Sequence, residues 1–229
     1  MNPAFDRRLR FQRCSYWLLL FALSGLPLRA QIPVVRFRFE NPKLQPAKYV
    51  IEVQEDGSGH FRSEEGDPSP DDPQSQPGGS QDRPIRVSQA LRANLFAAAR
   101  KNKFFAIRCE DSGKNIAFQG TKTLEYEGPD GKGSCTYNWS KYAQINKLSD
   151  QFEAIAMTLE EGAKLQRQYE HGRLSLDSEI EVLEQMARDG RATEIQNIAP
   201  ILQTLAGDDA VLQRVQRRAR ALLEMAKTD

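Results

Sequence analysis

The chain has 229 residues and a mass of 25.9 kDa, with 32 Lys+Arg against 31 Asp+Glu. A net charge of +1 argues against a nucleic-acid binder, and two histidines with three cysteines leave little for a zinc site or a histidine-centred active site. At 39% hydrophobic and 28% charged residues, the composition is globular rather than disordered or membrane-embedded.

Residues 1–30 read as a secretory signal peptide. Arg7, Arg8, Arg10 and Arg13 precede the apolar run Trp17–Leu23, and Leu28-Arg29-Ala30-Gln31 offers a small residue at the exit. That run is about half the ~20 residues a membrane span needs, so cleavage between Ala30 and Gln31 is expected, with no stable membrane anchor afterwards. Cleavage removes five arginines and one aspartate and turns the net charge to −3. It also removes Cys14 and leaves Cys109 and Cys135. In an exported protein, periplasmic or secreted, an even pair favours a disulfide between them.

From Gln31 the pattern predicts an α+β domain to about residue 170. Val35, Phe37 and Phe39 alternate with Arg36, Arg38 and Glu40, which is strand periodicity. Tyr49–Gln54 and a strand from His60 flank the turn Glu55–Gly59. Residues 64–84 hold no apolar side chain and five prolines, and are expected to form a disordered loop inserted in the domain. Ser88 caps a predicted helix to about Lys103, with Leu91, Leu95, Phe96 and Ala99 on one face. Phe104–Ile107 reads as a short buried strand or helix exit. Thr121–Tyr126 and Cys135–Trp139 form a second hairpin around the turn Gly128–Gly133. Ile145, Leu148, Phe152, Ile155 and Leu159 then mark a long amphipathic helix. The implied architecture is an antiparallel sheet from two hairpins, covered on one face by two helices.

Residues 171–229 read as a helical tail. Ser175 opens a helix with Leu176, Ile180, Leu183 and Met186 inward. Ile195, Ile198, Leu202 and Leu205 mark a second helix, interrupted by Pro200. Asp208-Asp209 are expected to cap a third, with Val211, Val215, Ala219, Leu222 and Leu223 inward. Arg214, Arg217, Arg218 and Arg220 on the last helix read as partners of Asp177, Glu179, Glu181 and Glu184 rather than as an anion-binding patch.

Two resemblances follow. Ile201-Leu202, Asp208-Asp209, Val215, Arg218, Ala219 and Leu222-Leu223, with Pro200 in the preceding helix, resemble one HEAT-type repeat. A single unit is short of a solenoid, so the resemblance implies a docked helical hairpin and a protein-binding role. Ile51–Gly59, Leu124-Glu125-Tyr126 and Ile145–Leu159 are similar to hairpin–helix domains of uncharacterised exported bacterial proteins. No activity comes with that likeness.

Few residues present themselves for chemistry. His60 with Asp56 is a conceivable base and orienter, yet no nucleophile motif accompanies it, and an exposed turn histidine is the plainer reading. His171 stands alone before a glycine. Glu160-Glu161 and Glu110-Asp111 are neighbouring acids that point apart and read as solvated surface. Gly57-Ser58-Gly59 and Gly131-Lys132-Gly133 lie in hairpins, whereas phosphate loops lead from a strand into a helix. Asn138-Trp139-Ser140 has the form of a glycosylation sequon but reads as a strand end. No catalytic, metal or cofactor site is expected. The leading expectation is an exported, non-enzymatic protein that binds another envelope or extracellular protein or forms part of an envelope assembly. The alternatives are an inhibitor that inserts turn 55–59 or 128–133 into an extracytoplasmic enzyme, and an enzyme with a carboxylate site.

Overall fold

A computed structural model describes residues 31–64, 79–113 and 116–227. The expected signal segment, including Ala30, lies outside them, as do residues 65–78 of the expected loop.

Alternation dictates the sheet. Six antiparallel strands, β1 (Val34–Glu40), β2 (Lys48–Gln54), β3 (Ser58–Glu64), β4 (Gln81–Arg86), β5 (Thr121–Gly128) and β6 (Gly131–Tyr137), lie in the order β4-β3-β2-β1-β5-β6. The register aligns Phe37 with Ile51 on one side and Leu124 on the other, so every second residue enters one core. Helices α1 (Gln89–Lys101) and α2 (Ala143–His171) cover that face. Phe37 of β1 stacks on Phe152 of α2 with centroids 4.9 Å apart. The fold is α+β, as the patterning predicts.

The tail continues the same core. Helices α3 (Leu176–Arg188) and α4 (Ala199–Gly207) pack on the C-terminal half of α2, and α5 (Gln213–Met225) packs on α3 and α4. Buried Leu165, Ile180, Ile198, Leu202, Val215 and Leu222 are contiguous with the sheet's core. At Gly162 of α2, a side-chain carbon would lie 2.3 Å from Cγ2 of Ile198, so glycine is what lets the tail approach.

Several local expectations are corrected. Residues 81–84 belong to β4 rather than to a loop: their backbone pairs with β3, and only Ile85 supplies an apolar inward residue, so composition hid the strand. The hairpin β5–β6 turns on Pro129-Asp130 alone, with Gly131 and Gly133 inside β6. Helix α2 runs on to His171, well past Leu159. Pro200 does not interrupt a helix; it sits in the first turn of α4, where its missing N–H is harmless, after a 3₁₀ turn Ile195–Ile198. Asp208 does not cap α5, which starts after Leu212; its carboxylate instead accepts from Ala210 N, Tyr169 Oη and Arg173.

Phe104–Ile107 is neither a strand nor a simple helix exit. Lys103, Phe104 and Phe105 take φ of 53°, 57° and 65°, a left-handed turn costing about 1–2 kcal/mol per residue. Buried Phe105 and the stacking of Phe104 on Tyr126 at 5.0 Å offset that cost. Gly131 makes the turn possible, since a side-chain carbon there would lie 2.3 Å from the Phe104 ring. The adjoining segment carries Cys109, bonded to Cys135 of β6 with Cα atoms 5.8 Å apart.

Candidate functional site: the open face of the sheet

With the helices on one face, no described helix covers the other face of β1–β6, and alternation lines it with charge. Across the strands, His60, Glu52, Arg36 and Glu125 form one row, and Asp82, Arg62, Val50, Arg38 and Thr123 the next. Arg36 is the hinge of this ladder: its side chain is 26% exposed, with Nε donating to Glu52 at 2.6 Å and Nη1 to Glu125 at 2.9 Å. Burial alone would lower its pKa, but the bonds to Glu125 and Glu52 outweigh it and raise it. Arg38 donates to Glu125 at 3.3 Å and Arg62 to Asp82 at 2.9 Å. A shallow depression of ≈ 450 Å³ opens between β1, β2 and β3, with Val50 among its lining residues.

His60 belongs to this face. Its Nε2 meets Asp82, not Asp56, because β4 brings Asp82 beside it. The His60 contact, then Arg62, hold the Asp82 carboxyl below the ordinary range. Asp56 instead accepts from the N–H and hydroxyl of Ser58, which lower its pKa, and so fastens its own turn. His171 lies apart, exposed, 3.7 Å from Glu170.

Both edges of the sheet are partly covered by the chain itself. On β4, Pro84 removes one N–H, and the side-chain amide of Asn197 pairs with Arg86 as a neighbouring strand would: Oδ1 accepts from Arg86 N at 2.8 Å and Nδ2 donates to Arg86 O at 2.9 Å. On β6, the left-handed turn and the disulfide segment lie along the edge.

The carboxylate pairs are not solvated surface as the sequence suggested. Glu160 lies against the inner ends of β3 and β4, facing the Ser63 hydroxyl and the Gln81 amide, and neither completes a full hydrogen bond with it. Desolvation raises its pKa. Desolvation also raises that of Glu161, which turns instead toward Lys164 and Glu179. The two acids diverge. Glu110 accepts from Asn138 N at 2.7 Å and Asp111 from Gly113 N at 3.1 Å, both structural tasks. Among the described residues, no three His, Cys, Asp or Glu side chains gather as a metal site.

Neither glycine turn projects. Arg100 of α1 reaches Glu55 at 2.7 Å and Asp130 at 2.8 Å, drawing both turns onto the helix. Tyr126 also donates to Asp130, and burial, then that bond, push its pKa up to about 12. The sequon is occupied structurally: Asn138 Nδ2 donates to Ala117 O, its Oδ1 accepts from Gln119 N, and buried Ser140 donates to Cys109 O.

On the tail, Arg214 and Arg218 meet Asp177, and Arg218 also reaches Glu181 and Glu184. Glu179 pairs with Lys164 of α2 instead, because α3 turns that side toward α2. Reading the sequence missed Glu194, which is 4% exposed and accepts from the N–H and hydroxyl of Ser88 at 2.7 and 2.8 Å. It also missed Lys122, 6% exposed and 3.0 Å from Glu153. Both look like surface charges in sequence, and only their partners distinguish them.

No protein-family model matches this chain, and no curated protein matches it at a significant level. Among the described residues, no helix is long and apolar enough to cross a membrane.

Proposed function

We propose that this chain is an exported, non-enzymatic binding protein whose partner, another envelope or extracellular protein, docks on the open face of the six-stranded sheet. The observation that carries this reading is the pairing of an uncovered sheet face with an ordered ion ladder pinned by half-buried Arg36. Side chains already fixed in place lose little rotamer entropy when a partner arrives. The disulfide fits an oxidising compartment. The HEAT-like tail hairpin adds a second element of a kind used in protein recognition.

The tethering of both turns by Arg100 favours this reading over an inserted inhibitory loop, and the divergence of Glu160 and Glu161 favours it over a carboxylate active site. Site-specific photo-crosslinkers at Thr123 and Thr136, both on the open face, with a control at Val182 of α3, test it in exporting cells. Adducts from the sheet positions alone are expected, on a chain whose intact mass begins at Gln31. Adducts from Val182 alone would reject the sheet face, and a chain retaining Trp17 would reject cleavage.

A further inference from the structure

The open face repeats a charge pattern with one step missing. In the first row, Glu52 lies between His60 and Arg36, and Glu125 follows, so each carboxylate abuts a cationic or protonatable neighbour. In the row beyond, Glu64, Lys48 and Glu40 alternate in the same way. The middle row runs Asp82, Arg62, Val50, Arg38. At the β2 position, where its neighbours carry Glu52 and Lys48, stands a short apolar residue between two arginines.

We infer that the depression over Val50 receives a single carboxylate, borne by an Asp or Glu side chain on an extended segment of the partner protein. This rests on the open-face reading and specifies its chemistry. Arg38 and Arg62 stand two strands apart, about 10 Å at the backbone. Their side chains are 49% and 60% exposed. Each guanidinium has five N–H donors, and the ion pairs described here engage one on each: Nη2 of Arg38 and Nε of Arg62. Donors on both remain for an anion between them. Of the nearby acids, Glu52 is neutralised by Arg36 at 2.6 Å, and Glu40 lies 3.9 Å from Lys48. Glu64 closes the far rim and disfavours a large polyanion. A single carboxylate above Val50 would complete the sequence Asp82, Arg62, guest, Arg38 in strict alternation. The depression, ≈ 450 Å³, has room for such a side chain.

Titration of the isotopically labelled protein with an end-blocked Gly/Ser peptide carrying one glutamate, followed by amide chemical shifts, tests this. Saturable shifts at Arg38, Val50 and Arg62 are expected, weakening with added salt, with the glutamine counterpart silent. Val50→Glu, which supplies the missing carboxylate from within, is expected to weaken binding about tenfold or more, as is Arg38→Gln/Arg62→Gln. Unchanged thermal melts show that these open-face substitutions leave the fold intact. The one-glutamate peptide binding equally well to Val50→Glu, or shifting residues away from β1–β3, overturns the carboxylate site. Adducts at Thr123 and Thr136 would in that case still support the sheet face as a platform, so the two readings fail separately.

Discussion

Substituting Glu194 tests how the tail is joined to the sheet domain. Its carboxylate accepts from Ser88 N at 2.7 Å, Ser88 Oγ at 2.8 Å and Gln196 Nε2 at 2.5 Å, at the first turn of α1. Glu194→Ala leaves two Ser88 donors without a charged acceptor. At about 1.5–3 kcal/mol per hydrogen bond to a charged group, that is about 3–6 kcal/mol. Loss of the favourable charge at the helix N-terminus adds about 0.3–1 kcal/mol. Ser88 is half-buried, so water recovers part, and a loss of about 3 kcal/mol is expected. Glu194→Gly makes the same deletion but relieves the left-handed backbone, φ 57°, and is expected to lose about 1 kcal/mol less. Urea unfolding followed by helicity and by Trp139 fluorescence measures both. A double-mutant cycle with Ser88→Ala should return a coupling of about 1.5–3 kcal/mol. Additive effects, or a loss under about 1 kcal/mol for Glu194→Ala, would refute the latch.

Three further outcomes are expected. Gly162→Ala, which drives a methyl to 2.3 Å from Ile198, should destabilise by about 1–3 kcal/mol, and Ile198→Ala should cost less in that background than in the native chain; equal costs in the two backgrounds would deny the contact. Glu160→Gln should stabilise the protein at neutral pH, with the gain fading on acidification. Because the folded-state pKa is raised above the ordinary 4.5, the folded chain holds the proton more tightly, so native stability falls as pH rises from about 4.5 through the folded value, and the variant lacks that fall. Parallel pH-stability curves for the two proteins would contradict this. Replacing Cys109 and Cys135 together by serine opens a loop of 26-residue separation and should lower stability by about 3–4 kcal/mol in unfolding titrations; an unchanged midpoint would show the bond to be dispensable.

Sequence alone determined the elements whose hydrophobic period is strong. Val35, Phe37 and Phe39 read as a strand, and Ile145 to Leu159 as a helix, because each buries one regular face whatever it packs against. The pairing of Cys109 with Cys135 was also legible, since only these two cysteines lie beyond the expected signal segment. Tertiary structure decided everything that depends on a partner distant in the chain. β4 exists because β3 offers it a ladder, although Gln81–Pro84 holds no apolar residue. Glu160 is half-buried because α2 lies across the ends of β3 and β4, and Glu194 became a buried acceptor because the tail folds back on α1. The open face shows the same division. Alternation places Arg36, Arg38, Val50, Glu52 and Arg62 on one side of the sheet, but only strand order sets them beside one another, since hydrogen-bonded register rather than sequence distance fixes which charges meet.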